Sequence, residues 1–149
     1  MPSKRPELNL TVQHAVRHDA SPRRPQALRW LRDHPTACRA ADIGTGSGCI
    51  AIALAANIPN LQLVATDRSP HALQVAHHNA SNHDIAGRVT FLQVDLLDLP
   101  PGYQPFDLIA ANLPYIPSDT LAELPVSRFE PALALDGGAD GMHLIRRIL

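Results

Sequence analysis

From residue 40 onward the chain alternates between short apolar runs and stretches of helical length. Ala40-Ala41-Asp42-Ile43, Leu61 to Asp67, Val89 to Asp95 and Phe106 to Asn112 read as four strands. Cys49 to Ala56 is a continuous apolar, Ala-rich helix. A second helix runs from Pro70 to about Asn82, with Ser69 placed to cap it and Pro70 in the first turn, where a missing N–H costs nothing. Strands alternating with helices predict an α/β fold with a parallel sheet and helical crossovers. Upstream, Leu8, Val12 and Ala15-Val16 fall at helical spacing and predict a short helix. The cluster Ser21-Pro22-Arg23-Arg24-Pro25 then breaks the chain, and Ala27, Leu28, Trp30 and Leu31 predict another helix that Pro35 stops. Residues 1–39 therefore read as an N-terminal helical segment with a Pro/Arg linker, and residues 40–149 as an α/β domain.

Composition adds exclusions. With 149 residues, 45% of them apolar and 18% charged, the chain is in the range of one ordinary globular domain. No run has the length of a membrane span, and the first twenty residues lack the apolar core of a secretory signal, so a cytoplasmic location is expected. The two cysteines, Cys38 and Cys49, form neither a disulfide framework nor a Cys-x-x-Cys pair, and the eight histidines show no zinc spacing, so no metal is expected. Charge is divided unevenly. Residues 1–40 hold eight Lys/Arg against three Asp/Glu, and the remainder five against eleven. A basic arm of this kind suits nucleic acid or an acidic protein partner, or is a solvated helix face.

The chemistry gathers at the predicted strand ends. Gly44, Gly46 and Gly48 between a strand and a helix let the backbone turn tightly and approach a nucleotide-like ligand with no Cβ in the way. Position 49, where a dinucleotide fingerprint would carry its third glycine, is Cys49, which disfavours NAD. Asp67, 23 residues after Gly44 at the end of the second predicted strand, is placed to accept both hydroxyls of a ribose. Asp95 ends the third and can accept from an exocyclic adenine amine. Asn112-Leu113-Pro114-Tyr115 closes the fourth with an amide that both donates and accepts, a stiff proline and a flat ring.

Together, Asp42-Ile43-Gly44-Thr45-Gly46-Ser47-Gly48, Asp67 and Asn112-Leu113-Pro114-Tyr115 resemble the class I S-adenosylmethionine-dependent methyltransferases that act on a planar nitrogen. Tyr115-Ile116-Pro117-Ser118, the stretch from Phe129 to Gly141 and Arg5-Pro6-Glu7 are similar to segments of the HemK family, the glutamine N5-methyltransferases of peptide chain release factors. The resemblance implies a Rossmann-like core whose first four parallel strands lie in the order 3-2-1-4 with helices on both faces. It implies S-adenosylmethionine held by Asp42, Gly44, Thr45, Gly46, Gly48, Asp67, Asp95 and Asn112. It also implies a target amide held by the Asn112 side chain and the Leu113 carbonyl, with Pro114 stiffening the segment and Tyr115 packing on the substrate. The family's tetrad is Asn-Pro-Pro-Tyr. The form with Leu at its second position is also that of ribosomal RNA adenine dimethyltransferases, so an rRNA or DNA adenine methyltransferase is the alternative, as is a cofactor-binding fragment without turnover.

Against that family, the 149 residues read as a truncated core that lacks the upstream helical recognition domain and the last three strands. Two expectations follow. The fourth predicted strand should present a bare outer edge, and Met142, Ile145, Ile148 and Leu149 should form an uncovered apolar stripe, both inviting self-association and leaving marginal activity.

Overall fold

The computed structural model describes residues 9–12, 26–125 and 132–148. The chain divides into two compact units, Met1–Asn112 and Leu113–Leu149.

The first unit is built on a five-stranded parallel sheet. Its elements are β1 (Asn9–Val12), α1 (Gln26–Asp33), β2 (Arg39–Ile43), α2 (Cys49–Asn57), β3 (Gln62–Asp67), α3 (Pro70–Asn82), a 3₁₀ turn (Ala86–Arg88), β4 (Val89–Gln93) and β5 (Leu108–Ala111). The strands lie in the order β1-β5-β2-β3-β4. Read from the far side, β4-β3-β2-β5 is the expected 3-2-1-4 arrangement. The central strands are short and apolar because both faces are covered: β5 is buried at all four positions and β2 at four of its five. Ile43, Leu54, Leu63, Leu108 and Ile109 are the largest fully buried apolar side chains. Removing such a side chain from water stabilises the fold by about 1.5–3 kcal/mol.

Two details position the carboxyl ends of the strands. Ser69 caps α3 as expected, its hydroxyl accepting from the Ala72 N–H at 3.2 Å, with Pro70 in the first turn. Asp107, just ahead of β5, accepts the Cys38 and Arg39 amides, each at 2.9 Å, and so fixes the start of β2 beside β5.

Two expectations are corrected. The helix read through Leu8 to Val16 is, over residues 9–12, a strand parallel to β5 (Asn9 opposite Leu108, Val12 opposite Ala111); the rest of it and the Pro/Arg linker lie outside the described residues. Apolar positions four apart fit a helix locally, but a parallel partner supplies backbone hydrogen bonds that local spacing does not reveal. In consequence the edge expected to be bare on β5 is occupied by β1, and self-association through it loses its basis.

The second unit contains α4 (Ser118–Glu123), α5 (Ala132–Leu135) and α6 (His143–Ile148). A parallel bridge joins Ile116 to Asp136. Here too the stripe expected on the last helix is corrected: Ile145 and Ile148 are buried, Met142 is exposed, and Leu149 lies outside the described residues. Among the described residues no helix is long and apolar enough to cross a membrane, and no cluster of metal-ligating side chains occurs.

Candidate functional site

Strand register brings the predicted residues of the first unit to one edge. Ile43 pairs with Thr66 on one side and Ala111 on the other, so Gly44, Asp67 and Asn112 follow at the same level; Asp67 pairs with Gln93, two residues before Asp95. Open α/β sheets bind ligands at this carboxyl edge.

The glycine loop is held from below and from the side. Asp42, 1% exposed, accepts at one carboxylate oxygen from the Thr45 hydroxyl (2.7 Å) and from the Ala51 N–H (3.0 Å). The second bond satisfies an amide in the first turn of α2, whose own N-cap, Gly48, has no side chain to do so. The other oxygen, Oδ1, is buried without a hydrogen-bond partner. Burial, aided by the nearby Asp67 charge, outweighs the two hydrogen bonds and raises the Asp42 pKa to about 6.

From the side, Asp67 accepts the Gly46 N–H at one oxygen and the Ser69 N–H at the other, both at 2.9 Å. The Thr45 N–H donates to the Thr66 carbonyl, and the Asn79 amide of α3 donates to the Ser47 carbonyl. α3 also presses directly on the loop, since a Cβ at Gly48 would come within 3.0 Å of the Ala76 Cβ. Gly48 and Gly46 both have positive φ (82° and 55°), yet a Cβ at Gly46 would meet nothing within 4 Å. One face of the loop is packed and the other is open.

This open face fits an adenosine-type ligand. A carboxylate offers about four lone-pair positions, and Asp67 has used one on each oxygen, leaving acceptor capacity for two vicinal hydroxyls. Asp95 stands in the turn beyond β4, which Thr66 anchors through its hydroxyl to the Leu96 carbonyl at 2.8 Å. That turn places Leu96 at a φ of 52°, and the strand ends two residues earlier than the apolar run suggests. The Asn112 side chain is exposed at the end of β5. Thr45 is buried and spends its hydroxyl on Asp42, so its part is in the loop's internal structure.

The remainder of the tetrad belongs to the second unit: Leu113 is buried, Pro114 half-buried and Tyr115 38% exposed. Sequence reading gave Asp136 and its following glycines no physical role. In the structure they surround the backbone that leaves Tyr115. A Cβ at Gly137 would fall within 2.7 Å of the Tyr115 Cα, and one at Gly141 would overlap the Tyr115 carbonyl oxygen.

A parallel sheet in this order with a glycine loop, an acidic residue at the end of β3 and an asparagine after β5 defines the Rossmann-like methyltransferase class. The methyltransferase-domain family matches residues 35–135, and the chain belongs to it. The chain is 44% identical over 135 residues to the release factor glutamine methyltransferase of Geobacter sulfurreducens, covering 89% of this chain and 45% of that protein. It is 50% identical over 110 residues to the enzyme of the same name from Moorella thermoacetica, covering 73% and 38% respectively. A ribosomal protein uL3 glutamine methyltransferase of Bradyrhizobium diazoefficiens is 47% identical over 121 residues, covering 80% of this chain and 38% of that protein. These relatives bear out the resemblance to glutamine methyltransferases read from the motifs. The chain spans less than half the length of each of them. Among solved structures, the catalytic domain of human Mettl16 in complex with MAT2A 3'UTR hairpin 1 shares the fold, with a TM-score of 0.63 at 18% identity over 84% of this chain and 49% of that one.

Proposed function

We propose that the chain carries the cofactor site and the amide-recognition segment of an S-adenosylmethionine-dependent protein-glutamine N-methyltransferase whose substrate is a peptide chain release factor. The observation that carries this is the convergence of the half-open glycine loop, Asp67 and Asn112 on one sheet edge, in a chain 44–50% identical to enzymes named for that reaction.

When bound, S-adenosylmethionine supplies an electrophilic methyl group on a sulfonium. Gly44, Gly46 and Gly48 admit the cofactor to the backbone, Asp67 accepts the ribose hydroxyls and Asp95 the adenine amine, while Asp42 and Thr45 hold the loop that receives it. Asn112 accepts one hydrogen of the target amide through its side-chain carbonyl, the Leu113 carbonyl takes the other, Pro114 restricts the backbone between them and Tyr115 packs on the glutamine side chain. An amide nitrogen is a poor nucleophile because its lone pair is delocalised, so the residues act by orienting it toward the methyl group and excluding water. With the cofactor bound, the methyl group would pass to the amide nitrogen that Asn112 and the Leu113 carbonyl orient, the bonding pair of the broken S–C bond staying on sulfur. The methylated nitrogen, now strongly acidic, loses its proton to water, so no general base is needed. This reading carries a cytoplasmic location with it.

The uL3-modifying relatives favour ribosomal protein uL3 as a second substrate of the same chemistry. Calorimetry with S-adenosylmethionine and transfer of a labelled methyl group to a release factor, to uL3 and to ribosomal RNA test the proposal. Cofactor binding with label on a release-factor glutamine is the expected result. Label on RNA alone, or no cofactor binding, would overturn it.

A further inference from the structure

One oxygen of Asp136 gathers a side-chain and a backbone hydrogen bond beside the chain that leaves Tyr115. Its Oδ1 accepts both the Ser118 hydroxyl at 2.7 Å and the Gly138 N–H at 2.9 Å. These bonds draw its carboxyl pKa below the ordinary value. Around this oxygen the backbone closes into a double lace. The Ile116 N–H donates to the Leu135 carbonyl, Gly137 to Ile116, Ser118 to Gly138 and His143 to Gly137. The glycines permit the closeness: Gly137 and Gly141 lie against Tyr115 where any Cβ would collide, and a Cβ at Gly138 would stand 2.8 Å from the His143 Cβ. None of this is an apolar core. Asp136 and the Ser118 hydroxyl are near the surface, where the same groups would otherwise bond to water, so the lace commits polar atoms to one backbone geometry.

We infer that Asp136 is the positioning residue of the amide-recognition segment: through its Oδ1 it ties Ser118 to Gly138 and thereby fixes the backbone that leaves Tyr115. The inference rests on the functional reading above for its consequence in turnover, but not for its structural content. Because one oxygen accepts both bonds, an amide at this position preserves them. The role is that of an acceptor and not of a charge.

The test compares the wild-type chain with Asp136→Ala, Asp136→Asn and Ser118→Ala, by residue-resolved amide hydrogen exchange, by cofactor calorimetry and by methyl transfer to a release factor. Asp136→Ala is expected to speed exchange at Ile116, Ser118, Gly137 and His143 by about tenfold or more while leaving residues 39–93 protected. Its kcat should fall by about tenfold to a hundredfold, the loss expected of a misplaced positioning group, with cofactor affinity and KM for the cofactor unchanged. Asp136→Asn should match wild type within about threefold in both readouts, and Ser118→Ala should fall between. Wild-type exchange at these amides in Asp136→Ala, an Asp136→Asn variant as impaired as Asp136→Ala, or accelerated exchange with undiminished kcat would each overturn the inference. If the wild-type chain methylates no glutamine, the functional reading fails instead, and the exchange measurements decide the role of Asp136 alone.

Discussion

Asp42 combines two duties that oppose each other: it satisfies one orphan amide of α2, and it buries a carboxyl group beside another acid. Its native pKa of about 6 lies above the unfolded value of 3.8, so between these values the folded chain binds more protons than the unfolded one. Stability from this group is therefore greatest below pH 4, falls as pH rises toward 6, and is flat above, a loss of about 3 kcal/mol. Urea midpoints from pH 3.5 to 7, wild type against Asp42→Asn, should show a difference curve with that slope; a level curve would mean that the carboxyl is not held protonated. Asp67 is a separate case, because its bonds to Gly46 and Ser69 leave acceptors facing the open loop. Asp67→Ala should weaken S-adenosylmethionine binding by about 1.5–3 kcal/mol, as for hydrogen bonds to a charged group, and by more than Asp95→Ala does, measured by calorimetry. Asn112→Ala should leave that affinity nearly unchanged and abolish transfer. Retention of wild-type kcat would reduce Asn112 to a turn residue.

At the scale of elements, the α2–α3 contact decides how the glycine loop is built. Gly48 combines positive φ with contact on Ala76, whereas Gly46 has positive φ and open space. Gly46→Ala should cost about 1–2 kcal/mol from backbone conformation alone. Gly48→Ala should cost that and about 1–3 kcal/mol more for overpacking against α3. Equal urea midpoints for the two variants would show that α3 yields. The strands β2, β3 and β5 were legible in the sequence because burial on both faces of a parallel sheet writes continuous apolar runs, β4 by its β-branched and aromatic residues, and α3 because Ser69-Pro70 writes a helix start. The glycine loop was legible for the same reason: its function is local. Asn9–Val12 was not, since a four-residue strand has too little pattern to compete with helical spacing and its partner is remote. Nor were the Asp42–Ala51 bond and the Asp136–Ser118 bond, which join residues that no short-range rule connects.

For the sheet as a whole, β1 changes what the chain exposes. With β5 covered, the strands at the two sides of the sheet are β1 and β4. Deleting residues 1–12 should uncover the row of backbone groups on β5 and increase association relative to the intact chain, measured by light scattering at matched concentration. Equal scattering from both would mean that another segment takes the place of β1.

That same strand sets an order of events in folding. β2 meets β3 across 23 residues, whereas Asn9 meets Leu108 across 99. Closing the longer loop costs about 1.3 kcal/mol more in chain entropy, and four residues of pairing return little for it. The remaining strands can assemble without β1. Its seat is β5, the last of the five strands in chain order, so β1, made before the other four, is the last of them to find its place.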